Sequence, residues 1–255
     1  MQNSGWTSLL RGAVFGVQAR SEEGRGIKAE NHEEDRQEKK VSTLSPELLT
    51  LARATKGFMP EAEGDALMRA ASTVAAHGPL LEVGAYCGRS AIYLGTAARQ
   101  AHSVLFSVDH HRGSEENQAG WEWHDAELVD PLTGRMDTLP WLRRTIEAAG
   151  LDHHVVAVVG ESSTVAQYWS TPLALCFIDG GHGRDIAHAD YGGWARHIAP
   201  QGLLAIHDVF PCPADGGRPP YEIYLRALGD GFQPETTLST GSLRILRRLI
   251  PTPNR

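Results

Sequence analysis

The chain has 255 residues, a formal net charge of −7, 41% hydrophobic residues and 22% charged residues. These values suit one α/β domain, or one domain with an extension, and supply apolar material for a sizeable core. They argue against a general nucleic-acid or anionic-membrane surface, and no run approaches the roughly 20 apolar residues of a membrane span.

Residues 1–20 hold a weak apolar patch broken by Arg11 and Gly12, without a clear cleavage site, and do not read as a signal peptide. Residues 21–40, SEEGRGIKAENHEEDRQEKK, contain twelve charged residues and almost nothing to bury. Residues 1–40 therefore read as a disordered charged extension, with a charge-paired helix as the alternative. Val41 is also readable as an alternative start. Residues 41–255 form the expected domain. Cys87, Cys176 and Cys212 are dispersed and make no CxxC pair, which fits a reducing cytoplasm.

From Ser45 the pattern alternates. SPELLTLARAT offers an N-cap serine, a proline at N1 and an apolar face. EAEGDALMRAASTVAAH reads as a second helix. LLEVGA (strand), RSAIYLGTAARQA (helix) and SVLFSVD (strand) follow, then a long polar stretch over 110–138. LPWLRRTIEAAG is a helix ending at Gly150, VVAVVG a strand, SSTVAQYW a short helix and LALCFIDG a strand. RDIAHADYGGWARHI is helical and LLAIHDV is the fifth strand. After PCPADGGRPP comes the helix YEIYLRALGDG, and TLSTGSLRILRRLI reads as two short strands around Thr240-Gly241. Strands alternating with helices predict a parallel sheet covered on both faces. The continuous apolar runs agree. Ligands bind such sheets beyond the carboxyl ends of the strands.

The first strand ends in Glu82-Val-Gly84-Ala-Tyr-Cys-Gly88-Arg-Ser90. A dinucleotide fingerprint starting at Gly84 needs glycine where Tyr86 and Arg89 stand, so a pyrophosphate reading is weak. Two glycines still let backbone approach a ligand. Glu82 suits an amino group or sulfonium and repels phosphate. Asp109, about 20 positions further on at the end of the second strand, is placed to accept ribose hydroxyls. Glu161 and Ser162, after the third strand, offer adenine contacts. Amino acid, ribose and adenine together describe S-adenosylmethionine (SAM). On these residues the chain resembles the class I SAM-dependent methyltransferases over residues 44–249. That resemblance implies a Rossmann-like fold with a seven-stranded, mostly parallel sheet.

The fourth and fifth strands end in IDGGH and HD. Asp179 and Asp208 are hard oxygen ligands suited to Mg²⁺. His207 adds a nitrogen better suited to Mn²⁺, Fe²⁺ or Zn²⁺, or else orients Asp208. His182 faces the same pocket. DGGH followed by HD resembles the metal-dependent sugar O-methyltransferases of the macrocin kind. There, the resemblance implies, acids at 179 and 207–208 hold Mg²⁺ and the histidine at 182 is the base. Contact of Asp179 with the cofactor stays open beside metal ligation. This chain departs at His207, where those enzymes carry glutamate. LARATKGFMPEAEGDAL, DHHRGSEENQ and IHDVFPCPADGGRPPYE are similar to actinobacterial 1-O-methyltransferases of methylmannose polysaccharide synthesis, implying a 3-O-methylated mannoside as acceptor. A homodimer is common in such enzymes. Cephalosporin hydroxylase-like proteins share the constellation, and such an oxygenase, an O-methyltransferase of a glycosylated natural product or catechol, and a SAM-binding module without catalysis stay open as alternatives. Within 110–138, Trp121 and Trp123 are candidates for stacking on a sugar, and His110, His111, Arg112 and Glu115 are candidates for lining the pocket.

Overall fold

The computed structural model describes residues 43–212 and 215–250; the charged extension over 1–40 lies outside the described residues. Helix α1 (Pro46–Ala54) begins as its sequence dictates. Ser45 Oγ accepts a hydrogen bond from the Leu48 N–H, and Pro46 occupies the first turn, where its missing donor costs nothing. Helix α2 (Glu61–Val74) follows a proline at its N-cap and carries two acids in its first turn. The alternation then runs β1 (Leu80–Val83), α3 (Arg89–Gln100), β2 (Leu105–Asp109), α4 (Leu139–Ala148), β3 (Val155–Val159), α5 (Ser162–Gln167), β4 (Leu173–Ile178), α6 (Arg184–Trp194), β5 (Ile198–Ile206), α7 (Arg218–Gly229), β6 (Phe232–Pro234) and β7 (Arg244–Arg248).

These strands make one seven-stranded sheet in the order β3-β2-β1-β4-β5-β7-β6. The first five are parallel, and β7 runs antiparallel between β5 and β6. Side chains alternate across the sheet as the pleat requires. Leu80, Leu105, Leu175, Phe177, Leu203 and Ile245 pack with α1–α4 on one face. Leu81, Val108, Cys176, Leu204, Ile206 and Leu246 pack with α5–α7 on the other, around the fully buried Trp194. Both faces are covered, so each central strand is apolar at successive positions.

One expectation is corrected. TLST is not a strand; the partner of β7 is Phe232–Pro234, further upstream. Thr240 and Leu243 exchange backbone hydrogen bonds across a tight turn, and Gly241 at its tip adopts a φ of 52°. That turn leads β7 back along β5, and the register Ile206↔Arg244 sets Ser242 beside the end of β5. The Val209 N–H donates to the Ser242 carbonyl at 3.0 Å.

Candidate active site

Strand register positions the chemistry. Ile178 pairs with Ile206, so Asp179 and His207 leave the sheet side by side. The His207 N–H donates to the Ile178 carbonyl at 3.1 Å. Asp208 follows with a φ of 53°, left-handed backbone that a non-glycine residue adopts rarely. The turn swings its carboxylate back towards β4. β1 passes close by. A Cβ at Gly84 would lie 2.1 Å from the Asp179 carbonyl oxygen, and Gly84 itself has a φ of 91°. Only glycine fits this crossing.

A cavity of about 390 Å³ opens over these strand ends, within the range of small-molecule sites, roughly 300–1,000 Å³. It is lined by Gly84, Ser90, Asp109, Glu161, Ser162, Asp179, His182, His207 and Asp208, so nine of the eleven residues singled out in the sequence converge there. Asp109 anchors the glycine turn. Its Oδ2 accepts from the Ala85 and Tyr86 N–H groups at 3.0 and 2.9 Å, and its Oδ1 from the His111 N–H at 2.7 Å. Ser162 Oγ accepts from the Trp194 indole at 2.8 Å.

Glu82 and Gly88 do not line the cavity. Glu82 was expected beside a ligand amino group, but it is fully buried on the face of the sheet that α3 covers. The register Glu82↔Ser107 explains why. Ser107 and Ser90 hydroxyls donate to its two oxygens at 2.5 and 2.7 Å. Burial pushes its carboxyl up to about 7 against these two hydrogen bonds. Gly88 is a packing glycine. It starts α3 with a φ of 92°, and a Cβ there would meet Leu142 of α4 at 2.7 Å.

His207 is 3% exposed, and three carboxylates surround its ring. Nδ1 lies 2.9 Å from Asp179 Oδ1 and 3.2 Å from Asp208 Oδ2. Nε2 lies 2.6 Å from Oε2 of Glu63, a buried residue of α2. Glu63 Oε1 accepts from the Ser242 N–H at 2.5 Å and from its hydroxyl at 3.1 Å. Burial works against charge on His207, but Asp179 and the other acids outweigh it and raise its pKa. Burial likewise works against Asp208, and hydrogen bonds from His182 and His207 overcome it and lower its pKa. One oxygen each from Asp179 and Asp208 and one nitrogen of His207 lie within 4.8 Å of one another. Two carboxylates and an imidazole are a donor set that fits a divalent cation.

His182 bridges two elements. Its Nε2 is 3.1 Å from Asp208 Oδ2 and its Nδ1 is 3.2 Å from Glu116 Oε2. The Asp208 hydrogen bond, against burial and with help from Glu116, raises the ring to about 9.

The stretch 110–138 closes one side of the cavity through His110, Gly113, Ser114, Glu116, Asn117 and Trp123. Of the expected lining residues, His111, Arg112, Glu115 and Trp121 stay outside it. His111 turns its Nδ1 to Thr138 Oγ1 at 2.8 Å and is buried. An aromatic rim forms where Phe58 meets Tyr86 and Trp123, with ring centroids 5.4 and 5.3 Å apart. Lys56 ties the two rim loops together through Asp125 and Glu127. Arg89 holds the α1–α2 loop by donating to the Thr55 and Met59 carbonyls. Sequence reasoning missed Glu63, Glu116 and Phe58. Each stands outside the strand-end pattern, and only the folded chain brings it to the site.

The strand order with its single reversed strand, the glycine turn after β1 and the acid ending β2 define the class I methyltransferase fold. The chain belongs to the methyltransferase-domain family, whose model matches residues 81–209. Its fold is similar to that of the methyltransferase PaMTH1 from Podospora anserina, solved with S-adenosylhomocysteine bound, at a TM-score of 0.58 and 13% identity over 84% of this chain and 92% of that one. It is also similar to TomG, the O-methyltransferase of tomaymycin synthesis from Streptomyces achromogenes, solved with SAM, at a TM-score of 0.53 and 14% identity over 82% and 92% of the two chains. An O-methyltransferase from Bacillus cereus, solved with S-adenosylhomocysteine, matches at a TM-score of 0.53 and 15% identity over 79% and 89%. At such identities these likenesses establish the fold.

Proposed function

We propose that the protein is a SAM-dependent O-methyltransferase that methylates a sugar hydroxyl with help from a divalent cation. The observation that carries this reading is the shared cavity. A glycine turn and Asp109, suited to a nucleoside, face the same space as His182 and the acids of β4 and β5. The neighbours solved with SAM or S-adenosylhomocysteine support the cofactor, and two of them are O-methyltransferases. The sugar acceptor and a homodimer rest on the sequence resemblance, and the cytoplasmic location on the dispersed cysteines. Among the described residues, no helix is long and apolar enough to cross a membrane.

The residues divide the work. Gly84 brings the backbone close to the cofactor, and Asp109 holds the turn while standing at the ribose position. Asp179, Asp208 and His207 would hold the cation. When bound there, a cation would lower the pKa of the acceptor hydroxyl and neutralise acids that otherwise keep a proton on His182. His182 takes the hydroxyl proton. The acceptor oxygen forms its bond to the methyl carbon as the carbon–sulfur bond breaks, leaving S-adenosylhomocysteine. Much of the acceleration comes from holding the two reactants in line. The Phe58–Trp123 rim offers an apolar face for a sugar ring.

The test is formation of S-adenosylhomocysteine, followed by mass spectrometry, with methylated mannosides, glycosylated natural products and catechols as acceptors and Mg²⁺ or Mn²⁺ present. A methylated mannoside turning over best supports the full reading. Turnover of catechols alone overturns the sugar assignment. Failure to bind SAM in calorimetry overturns the reading altogether.

A further inference from the structure

His207 stands where the resembling enzymes carry glutamate, and that exchange removes one carboxylate from the site. The fold supplies another. Glu63 reaches the ring from α2, a helix outside the matched region of residues 81–209. Its seat is built for it. Oε2 lies 2.6 Å from His207 Nε2, and Oε1 takes both the backbone N–H and the hydroxyl of Ser242. A Cβ at Gly241 would lie 2.1 Å from Glu63 Oε1, so glycine there makes room for the carboxylate. Glu63 is 4% exposed and His207 3% exposed. With a cation in place of the Nδ1 proton, Glu63, which has no other basic partner among the described residues, keeps the remaining proton on Nε2. Nδ1 then presents its lone pair, and Nδ1 is the nitrogen facing Asp179 and Asp208.

We propose that Glu63 is a positioning residue that commits His207 Nδ1 as a cation ligand. Nitrogen ligation then tilts the site from Mg²⁺ towards Mn²⁺ or a similar transition-metal ion. The inference rests on the cation reading of the proposed function. Its physical basis is general. Ligating histidines donate their second N–H to a carboxylate or carbonyl, which sets the ring's tautomer and orientation. Imidazole favours transition-metal ions over Mg²⁺, which demands oxygen ligands. The carboxylate that a glutamate would supply directly is moved one shell outward, and the ligating atom changes from oxygen to nitrogen.

The test uses the full chain stripped of metal and titrated with Mn²⁺ alone, followed by electron paramagnetic resonance. Pulsed measurements on the Mn²⁺-loaded wild type should show coupling to an imidazole ¹⁴N, and His207→Glu should lose it and shift preference towards Mg²⁺. Glu63→Gln should weaken Mn²⁺ binding by about 10–100-fold, with circular dichroism and metal-free SAM affinity unchanged. Wild type that binds Mn²⁺ without ¹⁴N coupling overturns the inference and leaves the cation reading standing. Glu63→Gln that binds Mn²⁺ like wild type does the same. Wild type that binds neither Mn²⁺ nor Mg²⁺ overturns the cation reading itself. The ¹⁴N measurement on wild type decides the matter even if Glu63→Gln does not fold.

Discussion

His182 Nε2 lies 3.1 Å from Asp208 Oδ2, while Glu116 Oε2 stands 3.2 Å from its other nitrogen. The ring is thus held between the end of β5 and the 110–138 loop. Its proton-accepting role sets the first prediction. His182→Ala should lower turnover by about 10²–10⁴-fold, the usual range for a lost general base, and leave SAM affinity within a few-fold of wild type. S-adenosylhomocysteine production and calorimetry measure the two quantities separately. Turnover close to wild type would remove His182 from the base role.

Glu116→Gln keeps a group of the same size and removes the charge beside Nδ1. Turnover should fall less than for His182→Ala, and the pH–rate profile should shift to lower pH, because Glu116 contributes to the raised pKa of the ring. An unchanged profile would show that the loop carboxylate does not tune the base.

The crossing of β1 and β4 leaves no room for a side chain at Gly84. Gly84→Ala combines a left-handed backbone, which costs an L-residue about 1–2 kcal/mol, with a methyl group placed 2.1 Å from the Asp179 carbonyl oxygen. Thermal unfolding should shift down by several degrees, and SAM affinity should fall with it. A variant with wild-type melting would mean that the strands part more easily than their register indicates.

Glu82 gives a pH prediction with a defined sign. Its carboxyl is raised from an ordinary value of 4.5 to about 7 by burial. The folded state therefore holds its proton more tightly than the unfolded chain. The stabilisation is complete below pH 4.5 and is lost as pH rises through about 7. Glu82→Gln should lose that slope, so the variant gains relative to wild type between pH 5 and 8. Denaturant midpoints at the two pH values test this. A wild-type-to-variant difference that does not change with pH would exclude it.

Aromatic edge contacts of the kind joining Phe58 and Trp123 contribute about 0.5–1.5 kcal/mol beyond area burial. Trp123→Ala should raise the acceptor KM several-fold and lower the melting temperature by about 2–4 °C, with SAM affinity nearly constant. Equal loss of acceptor and SAM binding would assign Trp123 to the cofactor instead.

The strand–helix alternation was readable because buried parallel strands leave continuous apolar runs, and Asp109, Asp179, His182 and Asp208 were readable because they follow such runs directly. Glu82 lies inside β1 and not beyond its end, and it misled. A residue inside a strand turns its side chain to a covered face, and there Ser107 and Ser90 take both oxygens of Glu82. Gly88 looked like a ligand glycine, but its space is taken by α4, an element 50 residues later in the chain whose packing no local motif reveals. Glu63 was invisible for the converse reason. It lies in an ordinary amphipathic helix, and only the reversed path of β7 gives it Ser242 as a partner.

That partnership joins positions 179 apart in sequence. Synthesis delivers Glu63 well before Ser242. Until β7 docks, the carboxylate on α2 has its histidine but not the backbone and hydroxyl donors that hold it in place. A nascent chain can lay down the sheet's first five strands and still lack a finished site. Competence to bind then arrives with the last strand, so the site itself reports that the whole domain has closed.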